Sequence, residues 1–432
     1  MIKNVKRNPG QKIKGVLIPP PDKSISHRSI IFAAIGQGKS HIYNLLEAED
    51  CKKTLKAFQQ MGIEVSKKED YYEVIGTGLT GLREPDNIID CGNSGTTMRL
   101  LAGLLSGQKG NFSLDGDSSL RKRPMQRIIK PLKSMKADIR AVKENNYCPL
   151  IIKPAELKAI DYKLPVASAQ LKSALLLANL YTNEKMVLRE PKVSRNHTEI
   201  MMKQLGFDIK YHNMKIVFNS QKNIKIPNNN YYVPGDFSQA AYFITAALLI
   251  ENSELLIKDV NLNPTRTGFL EVIKEMGANI DICDKRQTNG EIIGNILVKH
   301  SKLKGINVEE DLIPKMIDEI PLIAVLALKA DGKTKVTAAK ELRVKETDRL
   351  KNLKNAFNKL ELSIDVFADG FSIKGPQTID ESVLLNTECD HRMAMTYSIL
   401  ALLSKYGLGI DNYKCINNSF PTFFDKLDKI LH

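Results

Sequence analysis

Tryptophan is absent from the 432 residues, and the few cysteines are widely scattered. No two of them stand at the CxxC spacing typical of zinc sites and redox motifs, and their spread suggests no disulfide framework. The six cysteines are Cys51, Cys91, Cys148, Cys283, Cys389 and Cys415. We therefore expect reduced, structural cysteines and no zinc site.

Long apolar runs are missing as well. No stretch approaches the roughly 18 apolar residues that a membrane-spanning helix needs. The basic N-terminal segment, residues 1–14, leads into no apolar region of the kind that follows the start of a signal peptide. These two absences predict a cytoplasmic protein without a membrane partner.

Positive charge is abundant, because 63 Lys and Arg residues face 49 Asp and Glu residues and leave a net charge of +14. Such a surplus favours an anionic partner: nucleic acid, an acidic membrane surface or a phosphorylated metabolite. The cations are dispersed along the chain, and no zinc-finger, RRM or zipper pattern is present. A small anionic substrate is therefore preferred, and a basic nucleic-acid-binding protein is the alternative from another class.

A strongly apolar, Ala- and Leu-rich helix recurs along the chain, each time after a short polar or glycine-containing turn. The spacing between copies is about 70 to 80 residues, which is typical of a structural repeat. The six copies begin near Ser24, Gly95, Ser168, Asp236, Asp318 and Asp390. Helices of this composition have to be buried.

A second, more amphipathic helix recurs between the apolar ones and is followed by an alternating, strand-like stretch. In three copies a glycine, Gly62, Gly206 or Gly277, stands where the helix is expected to end with a positive φ. The pattern predicts an α/β protein of six similar units, three per half, with the change between two domains near residues 232–235. The alternative is one large α/β domain in which the periodicity is accidental.

In the first half, unusual polar residues cluster at the N-terminal ends of the repeated helices, where the free N–H groups and the helix dipole favour anions. The first such helix carries Lys23, Ser24 and Arg28. The second follows a glycine-rich turn, residues 90–96, whose spacing is not that of a P-loop. Four cations then occupy residues 121–127, at a predicted helix start. Because a helix N-terminus disfavours positive charge unless an anion offsets it, this pattern favours an anion-binding role for Arg123.

The third unit offers a hydroxyl and an amide at Ser168 and Gln170, and a hydroxyl beside a guanidinium at Ser194 and Arg195. Ser24 and Ser168 are equally well explained as simple helix caps. The single histidines His27 and His197 have no metal-ligand partners in the sequence, and we interpret both as structural.

The second half adds carboxylates, which proton transfer requires. Asp318 precedes an apolar helix, and its alternative role is that of a helix N-cap. Lys345 and Arg349 stand at i,i+4 spacing and so are predicted on one helix face, with Glu346 between them. The alternative for this segment is a solvated salt-bridge ladder.

Six segments in this order closely resemble the 5-enolpyruvylshikimate-3-phosphate synthases, over about residues 15 to 424. They are residues 22–28 (DKSISHR), 92–96 (GNSGT), 123–125 (RPM), 168–170 (SAQ), 343–349 (RVKETDR) and 390–392 (DHR). The resemblance implies two domains, each of three βαβαββ units, in an inside-out α/β barrel fold. Residues 22–234 would form one domain and residues 1–21 with 235–432 the other, with the active site in the cleft between them.

The resemblance also implies a reaction without metal or organic cofactor: the enolpyruvyl group of phosphoenolpyruvate passes to the 5-hydroxyl of shikimate 3-phosphate by addition and elimination, in chorismate and aromatic amino acid biosynthesis. The enzymes of this family are the target of glyphosate, and a monomer is implied. Asp318 would take the hydroxyl proton, and Glu346 with Lys23 would exchange a proton with the methylene carbon.

The binding residues implied by the resemblance divide by substrate. Those for shikimate 3-phosphate are Lys23, Ser24, Arg28, Ser168, Ala169, Gln170, Arg195, Asp318 and Lys345. Those for phosphoenolpyruvate are Lys23, Gly95, Arg123, Gln170, Arg349 and Arg392.

Several segments resemble the second class of the family, some members of which tolerate glyphosate. One departure is Asn418, which stands where many relatives carry a lysine before Ser-Phe-Pro. The nearest competing family transfers the same group to UDP-N-acetylglucosamine and usually carries a cysteine before an Arg-Pro pair. The corresponding loop here, residues 115–124, contains no cysteine.

Overall fold

A computed structural model describes residues 1–144, 146–221 and 225–432. Within these residues the chain forms 22 strands and 13 α-helices. The strands are β1 (Ile2–Val5), β2 (Lys14–Leu17), β3 (Gln37–Tyr43), β4 (Glu64–Lys67), β5 (Tyr71–Thr77), β6 (Ile89–Asp90), β7 (Phe112–Asp115), β8 (Asp138–Lys143), β9 (Tyr147–Lys153), β10 (Asp161–Lys163), β11 (Lys185–Arg189), β12 (Asp208–His212), β13 (Lys215–Asn219), β14 (Asn230–Tyr232), β15 (Glu254–Asn261), β16 (Asn279–Thr288), β17 (Glu291–Lys299), β18 (Gly332–Val336), β19 (Asp365–Phe367), β20 (Gly370–Gly375), β21 (Leu384–Leu385) and β22 (Leu408–Asp411).

The helices alternate with these strands along the chain. They are α1 (Lys23–Ile35), α2 (Glu49–Gln60), α3 (Gly95–Leu105), α4 (Gln126–Ser134), α5 (Ala169–Asn179), α6 (His197–Gln204), α7 (Phe237–Leu249), α8 (Gly268–Glu275), α9 (Ile313–Met316), α10 (Ile320–Ala327), α11 (Arg349–Lys359), α12 (His391–Ala401) and α13 (Phe423–Ile430).

The chain divides into two compact units. The middle unit consists of Pro21–Pro234 together with Thr288–Glu291. The terminal unit consists of Met1–Pro20, Gly235–Gln287 and Ile292–His432.

Three four-stranded sheets build the middle unit, in the orders β14-β3-β5-β4, β6-β7-β9-β8 and β10-β11-β13-β12. Each begins with a parallel pair and continues with antiparallel neighbours. The run β6-α3-β7-α4-β8-β9 is thus one βαβαββ element, and β10-α5-β11-α6-β12-β13 is a second. The sheet that contains β3 follows the same plan, with its parallel edge supplied by β14 from the other end of the unit.

The terminal unit contains the sheets β16-β17-β15-β2, β18-β20-β19 and β1-β22-β21. In the first of these sheets β2, which comes from the start of the chain, pairs in parallel with β15. In the third sheet β21 pairs in parallel with β22. The chain is therefore a mixed α/β protein, as its sequence predicts.

Burial explains why the apolar helices recur. The helices α1, α3 and α5 contribute to the core of the middle unit, and α7, α10 and α12 to the core of the terminal unit. All 13 residues of α7 and all 11 of α12 are buried. Five of the six apolar helices begin within one residue of the position predicted from sequence, and α10 begins two residues after Asp318.

The amphipathic helices end as the glycines predict. Gly62, Gly206 and Gly277 have φ of +89°, +88° and +97°. The residue after each one donates its backbone N–H to a carbonyl five residues earlier, which closes the helix in a Schellman turn. Lys136 and Glu361 fill the same position of α4 and α11 with φ of +71° and +54°, so two of the turns form without glycine.

In the described part of the chain no helix combines the length and the apolar character needed to cross a membrane.

Candidate active site

The first predicted anion-binding residues lie at the start of α1. Asp22 is the N-cap, and its Oδ1 accepts a hydrogen bond of 2.9 Å from the backbone N–H of Ile25. The alternative in which Ser24 caps this helix is therefore wrong. Lys23, the first helical residue, donates to Asp50 Oδ2 at 3.0 Å. Asp50 lies in the first turn of α2, so two helix N-terminal ends meet at this ion pair.

Arg28 lies one turn further along α1 and is buried. Its Nε donates to Thr198 Oγ1 at 2.6 Å, its Nη2 to Ser173 Oγ at 2.8 Å and its Nη1 to the carbonyl of Ser24 at 2.9 Å. These acceptors are all neutral. Burial, only partly offset by Glu199 and other nearby charges, lowers the pKa of the guanidinium to about 10. A buried cation held by neutral groups favours an anionic ligand.

The second group of predicted residues gathers around Gly95, the first residue of α3. A Cβ atom at Gly95 would lie 2.8 Å from Nη1 of Arg99 and 3.4 Å from Nη1 of Arg123. Arg99 donates to Gln170 Oε1 at 2.6 Å, and Gln170 Nε2 donates to Thr96 Oγ1 at 3.0 Å. Gly95, Arg123 and Gln170, predicted from separate motifs, are therefore neighbours. The missing side chain of Gly95 lets two guanidinium groups approach its backbone closely.

Arg123 follows a short 3₁₀ helix, Leu120–Lys122, and its orientation is fixed by a chain of hydrogen bonds. Its Nη2 donates to Asn93 Oδ1 at 2.7 Å, and Asn93 in turn donates to Asp117 Oδ2 at 2.9 Å. Asp117 Oδ1 accepts the backbone N–H groups of Ser119 and Leu120 at 3.0 and 2.8 Å. One carboxylate thus orders the loop that carries Arg123.

Ser168 is the N-cap of α5, and its Oγ accepts the N–H of Leu171 at 3.4 Å, as the capping interpretation predicts. Ala169 follows as the first helical residue. Arg195 precedes α6 and lies close enough to Arg28 that its charge contributes to the lowered pKa of Arg28. Arg195 of the third unit therefore lies near Arg28 of the first.

The two histidines have packing partners of the kind expected for structural residues. His27 is fully buried, and its Nδ1 lies 2.7 Å from Thr54 Oγ1. His197 is also buried, and its Nδ1 lies 2.7 Å from Glu291 Oε1.

In the terminal unit, three predicted cations converge on Asp318. Arg349 Nη1 lies 3.4 Å and Lys345 Nζ 3.6 Å from its Oδ1, and Arg392 Nη2 lies 3.5 Å from its Oδ2. Asp318 lies in the turn between α9 and α10 and does not cap α10, because Glu319 occupies the N-cap position. The N-cap alternative for Asp318 is therefore wrong.

A second carboxylate anchors Arg349. Its Nε donates to Asp390 Oδ2 at 2.8 Å, and Nη2 donates to Asp390 Oδ1 at 3.3 Å, while Nη2 also bonds Glu346 Oε2. Burial by itself would lower the pKa of Arg349, but Asp390, Glu346 and Asp318 outweigh it and raise the pKa. The pKa of Arg392 is raised in the same way, with Asp318 as the largest opposing charge. Both guanidinium groups are thus held permanently charged.

The local structure of residues 343–349 differs from the sequence prediction. A 3₁₀ helix, Lys340–Val344, ends at Lys345, whose backbone is extended, and α11 begins only at Arg349 with Asp348 as its N-cap. Lys345 and Arg349 therefore do not share a helix face, and that prediction is wrong. They meet at Asp318 because the chain turns between them. The surface-ladder alternative also fails, since the Arg349 side chain is only 1% exposed.

Several polar partners were not predicted. Asp50 carries no motif of its own, and its contact with Lys23 joins residues that lie far apart in sequence. Asp390 was recognised only as part of a motif, although it is the closest carboxylate partner of the Arg349 Nε. The place of Arg99 one turn into α3 was visible in the sequence, but its hydrogen bond to Gln170 was not predicted. Asn418 ends the 3₁₀ helix Tyr413–Asn418 and is partly exposed.

A family model described as EPSP synthase (3-phosphoshikimate 1-carboxyvinyltransferase) matches residues 7–427 of this chain. The chain belongs to the EPSP synthase family. The family assignment made from the sequence, and with it the assignment as an enzyme of this class, is confirmed.

Curated relatives agree with this membership. The chain is 45% identical over 424 residues to the 3-phosphoshikimate 1-carboxyvinyltransferase of Thermodesulfovibrio yellowstonii, and the match covers 97% of each chain. It is 44% identical over 421 residues to the protein of the same name from Oceanobacillus iheyensis, again with 97% of each chain covered.

Solved structures share the fold of the EPSP synthase family. The EPSP synthase of Acinetobacter baumannii matches with a TM-score of 0.88 and 38% identity, covering 100% of this chain and 98% of that one. The enolpyruvyl transferase NikO from Streptomyces tendae matches with a TM-score of 0.79 at 14% identity, covering 100% and 97%, and so indicates the fold alone. The predicted enolpyruvyl transferase fold is confirmed.

Proposed function

We propose that this enzyme transfers the enolpyruvyl group of phosphoenolpyruvate to the 5-hydroxyl of shikimate 3-phosphate and releases phosphate. Both substrates carry a phosphate and a carboxylate. The single observation that supports the proposal best is the convergence of Lys345, Arg349 and Arg392 on Asp318. Three cations around one partly exposed carboxylate can hold anionic substrates and orient a group that accepts a proton.

The residues of the middle unit would bind both substrates. Arg28, held by Ser173 and Thr198, is available to an anionic group of shikimate 3-phosphate, and Lys23, Ser24, Ser168, Ala169, Gln170 and Arg195 would complete that subsite. Arg123 and Gly95 would bind phosphoenolpyruvate, with Lys23 and Gln170 shared between the substrates. Because Gly95 has no side chain, the guanidinium groups of Arg99 and Arg123 can lie close to its backbone, and two such cations suit a small dianion.

The residues of the terminal unit would move protons and hold charge. Asp318 would accept the proton of the 5-hydroxyl as its oxygen attacks C2 of phosphoenolpyruvate, while C3 takes a proton from Glu346 assisted by Lys23. Glu346 would then take a proton back from C3 as the bond between C2 and the phosphate oxygen breaks, and phosphate would leave. Lys345 would bind shikimate 3-phosphate, and Arg349 and Arg392 would bind phosphoenolpyruvate as its charge shifts during addition.

The chain's cysteines offer little support for the competing transfer to UDP-N-acetylglucosamine. The loop before Arg123-Pro124 has no cysteine. Cys91, at the turn before α3, is fully buried, and burial raises the pKa of its thiol. A buried, protonated thiol is a poor nucleophile or acid-base group.

The test is phosphate release from phosphoenolpyruvate with the purified enzyme, measured once with shikimate 3-phosphate and once with UDP-N-acetylglucosamine. We expect turnover with the first and none with the second. Absence of turnover with shikimate 3-phosphate would refute the proposal. Turnover with UDP-N-acetylglucosamine alone would assign the chain to the competing reaction.

We further propose that the enzyme is a cytoplasmic monomer whose partners are these two substrates and not nucleic acid or membrane. Gel filtration with light scattering tests the monomer. Filter binding of duplex DNA across a salt series tests the nucleic-acid alternative, because phosphate contacts give a steep salt dependence. We expect only weak retention that disappears as the salt concentration rises.

A further inference from the structure

A buried ionic cluster that the proposed chemistry does not use lies between α5 and α6 in the middle unit. Lys172 of α5 is completely buried, and its Nζ lies 2.9 Å from Glu190 Oε2 and 2.7 Å from Glu199 Oε1. The same Nζ donates to the carbonyl of Ser194 at 3.4 Å, and the hydroxyl of Ser194 bonds the other oxygen of Glu190. Two carboxylates and one ammonium group are thus enclosed together.

The cluster is adjacent in sequence to the residues that hold Arg28. Ser173 follows Lys172 on α5, and Thr198 precedes Glu199 on α6. The hydroxyls of Ser173 and Thr198 lie 2.6 Å apart, and both accept hydrogen bonds from the Arg28 guanidinium. The Lys172–Glu199 ion pair therefore links α5 to α6 directly beside the two hydroxyls that hold Arg28.

The electrostatic environment of Arg28 gives Glu199 a second role. Among the charges that act on Arg28, Glu199 is the strongest that favours its protonated form, whereas Arg195 opposes it. The carboxylate of Glu199 makes no direct hydrogen bond to Arg28, because the described contacts of the guanidinium are all to hydroxyls and a carbonyl. Glu199 stabilises the charge and leaves the guanidinium available to a ligand.

Stability alone gives weak grounds for such a cluster. Enclosing ions costs desolvation free energy, and well-packed apolar residues of similar volume often stabilise a protein as well or better. The cluster lies between α5, which Ser168 caps, and α6, which Arg195 precedes, and this position has a more specific consequence. Both helix starts carry residues assigned to the shikimate 3-phosphate subsite.

We propose that Lys172 and Glu199 are positioning residues that lock α5 to α6 and thereby set the orientation and charge of Arg28 for binding shikimate 3-phosphate. This inference rests on the proposed function. It extends the subsite to residues that do not touch the substrate. It assigns them no part in binding phosphoenolpyruvate.

The test compares Glu199→Gln with the wild-type enzyme. The substitution keeps the shape of the side chain and removes its charge. We expect the KM for shikimate 3-phosphate to rise about tenfold or more, which corresponds to roughly 1.4 kcal/mol per factor of ten. The KM for phosphoenolpyruvate should stay within about twofold. The chain has no tryptophan whose fluorescence could report binding. Calorimetric titration with shikimate 3-phosphate therefore measures the affinity directly.

A second variant, Thr198→Val, removes one hydroxyl around Arg28 without changing charge. It should raise the same KM, and the double variant should show less than the product of the two single effects, because both act through Arg28. Lys172→Met should also raise the KM for shikimate 3-phosphate. If this variant does not fold, the Glu199 and Thr198 variants are sufficient for the test.

The matched control is Phe218→Leu. This core residue of the same unit is fully buried and packs edge-on against Phe207. It should lower the Tm and leave both KM values unchanged.

The outcomes separate this inference from the proposed function. If the wild-type enzyme does not turn over shikimate 3-phosphate, the proposed function fails and this inference fails with it. If the wild-type enzyme is active but Glu199→Gln and Thr198→Val keep its KM for shikimate 3-phosphate, the inference alone is refuted. Equal rises in both KM values, or a change in Tm alone, would show that the cluster is merely structural.

Discussion

Glu346 lies on an irregular turn between a 3₁₀ helix and α11, and its carboxylate contacts the guanidinium of Arg349. In the proposed reaction it carries a proton to and from a carbon atom, which an amide cannot do. We therefore expect Glu346→Gln to bind both substrates and to lower kcat by at least about a hundredfold, the scale of general acid-base catalysis. Calorimetric titration and initial rates measure the two effects separately. A variant with near-normal kcat would remove Glu346 from the mechanism.

Asp318 should be equally important, for a different reason. It is the meeting point of three cations, and its proposed role is to accept the hydroxyl proton. We expect Asp318→Ala to lose activity to a comparable extent, because both the base and the orientation of the cations are lost. Since Asp318 does not cap α10, no loss of a helix cap contributes. Thermal unfolding beside the activity assay checks this, and an active but less stable variant would contradict the proposed role.

His27 provides a test of residue-scale electrostatics outside the chemistry. Burial, then the charges of Lys23 and Arg28, lower the pKa of His27 well below 6.5. The unfolded chain therefore takes up a proton on His27 below about pH 6.5, whereas the folded chain does not. The contribution of His27 to stability is complete above that pH and is lost as the pH falls below it, by at most about 1.4 kcal/mol per pH unit.

We therefore expect His27→Asn, which can keep a hydrogen bond to Thr54, to flatten the fall of Tm between pH 7 and pH 5. The measurement is thermal unfolding of both proteins across that range. A variant with the same pH dependence as the wild-type protein would mean that His27 does not resist protonation.

At the scale of elements, five Schellman turns provide an internal comparison. Three have glycine at the position of positive φ, whereas α11 ends with Glu361 at +54°. A non-glycine residue in this conformation costs roughly 1 kcal/mol, and a negative charge at a helix C-terminus adds a smaller penalty. We expect Glu361→Gly to raise the stability by up to about 1 kcal/mol, measured as an increase in Tm.

Two variants separate the causes of that increase. Glu361→Gln removes the charge but keeps the strained backbone, so it should recover only the smaller part. Gly206→Ala introduces the strain at an equivalent turn, where a Cβ would meet no atom within 4 Å, and should lower the Tm. If Glu361→Gln matched Glu361→Gly, charge and not backbone conformation would be the cause.

The elements also show what sequence can and cannot predict. Periodicity predicted the apolar helices, and glycine placement predicted the ends of three amphipathic helices, because both are local consequences of burial and backbone conformation. The turn between Lys345 and Arg349 was missed, since i,i+4 spacing holds only where a helix is continuous. The partners of the site residues were mostly missed as well. Arg28 and Thr198 are 170 positions apart and Arg349 and Asp390 are 41 apart, and such pairs are set by topology.

For the whole molecule, the net charge of +14 lies mainly on the surface and not in the interior. The three most buried cations, Lys172, Arg266 and Arg349, are paired with carboxylates, and added salt screens these pairs only weakly. The surplus therefore lies on exposed Lys and Arg residues that repel one another. Raising NaCl from about 20 to about 200 mM shortens the range of this repulsion from roughly 20 Å to below 10 Å.

We expect the Tm of the substrate-free enzyme to rise by about 3 °C over that range, because screening relieves repulsion in the folded state more than it weakens the buried pairs. The affinity for shikimate 3-phosphate should fall over the same range, since added anions compete for and screen its binding cations. Thermal unfolding and calorimetric titration in the same buffers measure the two opposite trends. A Tm that falls with salt would mean that exposed ion pairs, and not the surplus of cations, dominate the electrostatic contribution to stability.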